Sequence, residues 1–124
     1  MKGIYLLDAC NIVRAGSWDP GRDDDAESRA FIARIERRLV PAPRLRVVAV
    51  FDGPRRYSAA GVVLELRFSQ EEPADSVILD LARAGVHEGR SVWVVSRDGA
   101  LLDRAEEEGA RPLSPGDFEE RLGR

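Results

Sequence analysis

The chain has 124 residues, enough for one domain with a sizeable core and no need of disulfides or a structural metal. Its 44% hydrophobic and 33% charged residues exclude general disorder, and a single cysteine, Cys10, excludes an internal disulfide and a cysteine-based zinc cluster. A net charge of −3 excludes a generic basic nucleic-acid coat, although Lys and Arg outnumber Asp and Glu in residues 1–67 and so leave a weakly basic first half able to face a polyanion.

KGIYLLD reads as a short strand buried on both faces, because its apolar residues run on without alternating. DPGRDDDAE makes a turn and then a helix start, its acids suited to the positive end of the helix dipole. SRAFIARIERRLV follows as an amphipathic helix with Phe31, Ile32, Ile35 and Leu39 at helical spacing, stopped by Pro41 and Pro43. RLRVVAVFDG is a second buried strand ending on Asp52, PRRYSAAG a loop, and VVLELRFS a third strand with partial alternation. EEPADSVILDLARAGV is a helix with Pro73 at its first turn and Val77, Ile78, Leu81 and Ala82 on its inner face. RSVWVVSRDG is the fourth strand and runs into Asp98. GALLDRAEEEGA is a helix closed by Gly109, ARPLS a short strand, and SPGDFEERLG a C-terminal helix capped near Ser114 or Asp117. No repeat or linker divides the chain, so residues 1–124 are read as a single domain. Strands alternating with helices predict a three-layer α/β/α fold around a mainly parallel sheet. The opening MKGIYLLDAC is too short an apolar stretch for a signal peptide, and no run reaches a membrane span, so a reducing cytoplasm is the expected location.

In an open parallel sheet, ligands bind in the crevice outside the carboxyl ends of the strands. Asp8, Asp52 and Asp98 each follow a different strand at that edge, and Asp75 stands in the first turn of the helix that begins on the same side. Unpaired carboxylates about 4 Å apart repel by about 1 kcal/mol in water, and severalfold more where water is partly excluded. No lysine or histidine nearby in the sequence offsets that repulsion, so the pattern points to a divalent cation. Oxygen-only ligands suit Mg²⁺ or Mn²⁺ rather than zinc or copper, and such ions activate water and stabilise a phosphodiester under attack. Strand-end aspartates also cap helices and turns, which is the competing account of each one taken singly.

YLLDACNIVRA, VVAVFDG, VVLELRFSQEEPADSVILDLA and VWVVSRDGALLDRAEEEGARPLSPGDFEERL resemble, in order and spacing, the NYN branch of the PIN-like nucleases, and its YacP-like members above all. The resemblance covers the chain apart from residues 16–44, and implies a PIN-like fold and metal-dependent endoribonuclease activity with carboxylate ligands at the strand tips. On this resemblance Asp8, Asp75 and Asp98 are the catalytic acids and metal ligands, Asn11 a partner amide, Asp52 a supporting acid and Ser96 the hydroxyl that orients the cluster. Ser76 stands where many relatives carry a second acid, and Ala9 and Cys10 follow Asp8 where glycine and an aromatic are common. Asp103 lies five residues after Asp98, where some relatives place an acid four residues on. These departures imply three or four ligands, and one metal rather than two.

Arg14, Arg55 and Arg56 follow strand-end acids and are placed to hold phosphates, although solvated loop arginines would need no such role. Tyr57 and Trp18 in the same loops have base-stacking chemistry, with packing on the sheet edge as the simpler reading. Cys10 is read as a small buried thiol, having no histidine neighbour, and His87 as a solvated histidine near a helix end. A phospho-accepting receiver domain would need a lysine after its last strand, and Lys2 is the only lysine. A haloacid-dehalogenase-type phosphatase would need an aspartate where Cys10 stands. The expected function is therefore hydrolysis of RNA, single-stranded or exposed, by a Mg²⁺- or Mn²⁺-activated water. Ribosome association and oligomeric state stay open. The alternative is a catalytically degenerate PIN-like domain that binds RNA or acts as an adaptor, which Ser76 favours.

Overall fold

A computed structural model describes residues 3–15, 24–39, 45–57 and 64–123. In chain order these form β1 (Ile4–Asp8), α1 (Ala9–Ala15), α2 (Asp24–Leu39), β2 (Arg46–Phe51), β3 (Leu64–Phe68), α3 (Ala74–His87), β4 (Val92–Val95), α4 (Gly99–Glu107), β5 (Arg111–Leu113) and α5 (Pro115–Leu122). The five strands make one parallel sheet in the order β3-β2-β1-β4-β5. Every residue of β1 is buried, as a central strand covered on both faces requires, whereas edge strand β3 exposes Glu65 and Arg67.

Strand alternation sorts the core into two layers. Tyr5 and Leu7 of β1, with Val47, Ala49 and Phe51 of β2, pack under α1, α2 and α5, where Ile12, Phe31, Ile32, Ile35, Leu39 and Phe118 meet them. Ile4 and Leu6, with Val48, Val50, Val92 and Val94, pack on the other side against α3 and α4. The expected α/β/α layering is therefore present, and the four apolar positions foreseen on α2 all lie in its core face.

Two details differ from the sequence reading. Helix α1 has no counterpart there, because it spans seven residues and, among those whose burial is described, only Ala9 and Ile12 are buried, too weak a period to announce a helix. The inner face of α3 is rotated: Ala74, Ile78, Leu79, Ala82 and Gly85 are buried, while Val77 and Leu81 pack only partly. Small residues let that helix lie close to the sheet, so hydrophobicity alone found Ile78, Ala82 and one flank of the stripe and missed Ala74, Leu79 and Gly85. The third strand was expected over 62–69; its first two residues lie outside the described ones.

After β3 the chain crosses by α3 to the far side of β1, so the order of strands reverses between β1 and β4. At such a switch point neighbouring crossovers leave opposite faces and open a crevice at the carboxyl ends of the strands. Asp8 closes β1 and Ser96 follows β4, one on each side of it.

Candidate active site

The centre of the crevice is a buried hydrogen-bonded hub. Ser96 is 1% exposed, and its hydroxyl lies 2.8 Å from Asp8 Oδ2 and 3.1 Å from Asn11 Oδ1. Its one proton serves both acceptors, while its oxygen accepts the Asp98 backbone N–H at 3.0 Å. The Arg97 N–H donates to Asn11 Oδ1 at 2.8 Å, which fixes the oxygen of that amide on the hub side. The end of β1, the first turn of α1 and the β4–α4 connection are thereby held in one register. Asp8 is only 8% exposed. Burial, together with the charges of Asp52, Asp98 and Asp75, raises its pKa from 3.8 to about 6, against a smaller opposing effect of the Ser96 bond.

The other acids arrive from helix starts. Pro73 offers α3 no side-chain cap, and Asp52 Oδ1, from the end of β2, accepts the Ala74 N–H at 2.8 Å instead. The turn that frees Asp52 for this passes through Gly53 at φ +90°, in the left-handed region where glycine pays no steric penalty. Asp98 caps α4, its Oδ1 accepting from Ala100 at 3.1 Å and Leu101 at 3.4 Å. Asp75, in the first turn of α3, has Oδ2 3.4 Å from Arg104 Nη1 of α4, while its Oδ1 is buried without a hydrogen-bond partner.

Asp8, Asp52, Asp75 and Asp98 thus line one open cleft of about 550 Å³, together with Cys10, Asn11, Arg14, Pro73 and Ala74. That volume falls in the range of ordinary ligand sites. Among the described residues each acid has one oxygen spoken for and a second without a hydrogen bond, and the buried orphan on Asp75 is the costliest of these. Four carboxylates lining one cleft make an all-oxygen donor set, the ligand chemistry that hard divalent cations take. The tight convergence expected from the sequence is nevertheless not present: among the described residues, no three acids stand close enough to hold an ion. Helix capping is the reason, since it pulls Asp52 and Asp98 toward backbone amides.

Among the proposed phosphate-binding arginines, only Arg14 lines the cleft. Arg56 lines a smaller pocket beside it, with Nη2 3.3 Å from the Asp52 carbonyl oxygen, and Arg55 lies over the Phe68 ring at 5.8 Å. Tyr57 is a packing aromatic, 6% exposed against Phe51 and Phe68, its hydroxyl donating to Asp25 Oδ1 at 2.6 Å. Trp18 lies outside the described residues. Cys10 is half-buried and burial pushes its thiol pKa up, which keeps it protonated and unsuited to nucleophilic attack. His87 is exposed in the last turn of α3, and Ser76 is partly buried in its first. Sequence reasoning missed Arg104, whose pairing with Asp75 spans two helices and leaves no local signal.

The sequence and the five-stranded parallel fold both have relatives. The model of the YacP-like NYN domain matches residues 6–124. The chain belongs to the YacP-like NYN family. It is accordingly a nuclease-type domain. Two crystal structures of Rae1 (YacP) from Bacillus subtilis have the same fold. One matches with a TM-score of 0.76 at 21% identity, over 97% of this chain and 73% of that one. The other, a point mutant, gives 0.75 at 21% identity, over 98% and 75%. At that identity the likeness speaks for the YacP-like fold alone. No curated protein matches the chain. Among the described residues of this NYN domain, no helix is long and apolar enough to cross a membrane.

Proposed function

We propose that the protein is an endoribonuclease that hydrolyses RNA phosphodiester bonds in a reducing cytoplasm, with Asp8, Asp75 and Asp98 holding Mg²⁺ or Mn²⁺. The observation that carries this is one cleft lined by four aspartates from four separate segments, one of them with its carboxyl pKa lifted to about 6 and another with an orphaned buried oxygen. A bound ion would supply an activated water and charge stabilisation at the phosphodiester. The chain's own residues do the rest. Ser96 and Asn11 keep Asp8 at its angle, Asp52 anchors the helix that carries Asp75, and Arg14 offers its guanidinium to the substrate phosphate. An open cleft admits an unpaired strand more readily than a duplex, so single-stranded or exposed RNA is the substrate favoured.

A specific observation favours the second reading, an RNA-binding or adaptor domain without catalysis: the described acids do not form a ready-made cage. The substitution Asp8→Asn separates the two. For the enzyme, cleavage of RNA in Mn²⁺ falls by two orders of magnitude or more, in the range removal of a key electrostatic group produces, while RNA binding persists or strengthens. Equal cleavage by the variant and its parent, or none by either, rejects the nuclease.

A further inference from the structure

Beside the acid cleft lies a second pocket of about 70 Å³, lined by Cys10, Val13, Arg14, Ser28, Arg56 and Tyr57. It shares Cys10 and Arg14 with the cleft, so the two cavities meet along α1. Its volume is far below that of a typical small-molecule site, with room for a functional group and none for a nucleoside.

The donors in this pocket decide what that group is. The two hydroxyls are committed: Tyr57 donates to Asp25 and is itself bonded by Ser28. The Cys10 thiol, held protonated by burial, brings no negative charge. Arg14 has no hydrogen-bond or ion-pair partner among the described residues. Arg56 uses one N–H on the Asp52 carbonyl and stands 4.0 Å from Asp25 Oδ1, leaving most of its five donors without a partner among the described residues. Among the described residues Asp25 is the acid that comes within ion-pair distance of Arg56, and the Tyr57 hydroxyl donates to the same Oδ1. Two guanidiniums flanking a space of that size match a tetrahedral oxyanion, for which arginine's planar fork is the natural partner.

We infer that this pocket is a phosphate subsite, gripping between Arg14 and Arg56 a phosphate of the RNA strand whose neighbouring phosphodiester lies among the acids. The inference rests on the nuclease reading for its substrate, and on the pocket alone for its chemistry. A phosphate held there sets the register of the strand: Arg14 reaches into both cavities, so the segment between the held phosphate and the one attacked must pass over α1. The group is an internal diester or a terminal monoester, which share this chemistry.

The test is made on the whole protein in EDTA, where RNA stays uncut. Inorganic phosphate is titrated while the arginine side-chain N–H signals are followed by NMR. A labelled short RNA, with and without a 5′-phosphate, is then bound over a series of salt concentrations. The expected result is a phosphate-dependent shift at Arg14 and Arg56. Arg56→Gln lowers the slope of log affinity against log salt by about one and weakens RNA binding about fivefold, while Arg56→Lys keeps the slope. Tighter binding of the phosphorylated RNA assigns a terminal monoester, and equal binding an internal diester. A purely structural Arg56 would change the urea midpoint and leave the salt slope alone, and that result, or no shift on adding phosphate, overturns the subsite. Cleavage by the parent in Mn²⁺ is scored separately: cutting without a phosphate shift removes only the subsite, and a shift without cutting removes only the nuclease.

Discussion

Above neutral pH the Asp8 carboxylate is ionised against both burial and three neighbouring acids, and stability records that cost. Its pKa is 3.8 in an open chain and about 6 in the folded protein. Below both values the group is protonated in either state and contributes nothing. Between them the folded state holds the extra proton, so stability falls as pH rises, and above about 6 the full cost remains. A shift of this size corresponds to about 3 kcal/mol at most. The Asp8→Asn variant is therefore expected to exceed its parent in urea midpoint at pH 8 without divalent ions, and to lose that advantage as pH falls below both values. Ser96→Ala acts in the opposite sense. It strips Asp8 and Asn11 of a buried donor and Asp98 N–H of its acceptor, at about 1–3 kcal/mol. It also raises the Asp8 pKa further, read by NMR titration of that carboxyl, because the lost bond favours the ionised form.

Helix α3 carries Asp75 into the cleft, and its depth against the sheet is set by Gly85. A Cβ on Gly85 would lie 2.7 Å from Val92 Cγ2 and 3.5 Å from Ile4 Cδ1. Val92 is 2% exposed and stiff at its branched carbon, so it has nowhere to go. Alanine normally helps a helix interior by roughly 0.5–1 kcal/mol over glycine, but the overpacking here costs about 1–3 kcal/mol. Gly85→Ala is expected to be net destabilising in chemical denaturation, and to weaken Mn²⁺ binding because Asp75 moves with the helix. The same element shows where sequence patterns lose resolution. A helix that packs with Ala74, Ala82 and Gly85 hides its inner face from any hydrophobicity count, whereas α2, which packs with Phe31, Ile32, Ile35 and Leu39, announces it. Capping is legible more directly: Ser114 accepts the Asp117 N–H at 3.1 Å, as serine before proline at a helix start suggests.

At the scale of the molecule, the sheet gathers four like charges at one edge, and an ion that binds only the folded arrangement should stabilise it. At a hundredfold excess over its dissociation constant, Mn²⁺ is expected to add about 2.7 kcal/mol, seen as a rise in melting temperature that EDTA reverses and Asp8→Asn abolishes. An unchanged melting temperature would count against the carboxylates as a cation site. The alternation of strands and helices, the two-sided burial of β1 and β2, and acids at successive strand ends are all local or periodic properties, and the sequence determined them by itself. It thereby determined the layered fold and the edge at which a site must lie. Distances across that edge depend on how α3 and α4 seat on the sheet. Only the tertiary structure decided that Asp52 and Asp98 lend an oxygen each to helix amides, that Arg104 approaches Asp75, and that Arg14 alone of three arginines enters the cleft. Each of these joins residues far apart in the chain, where carboxylate, amide and guanidinium compete for the same few ångströms, and no spacing along the sequence records which of them prevails.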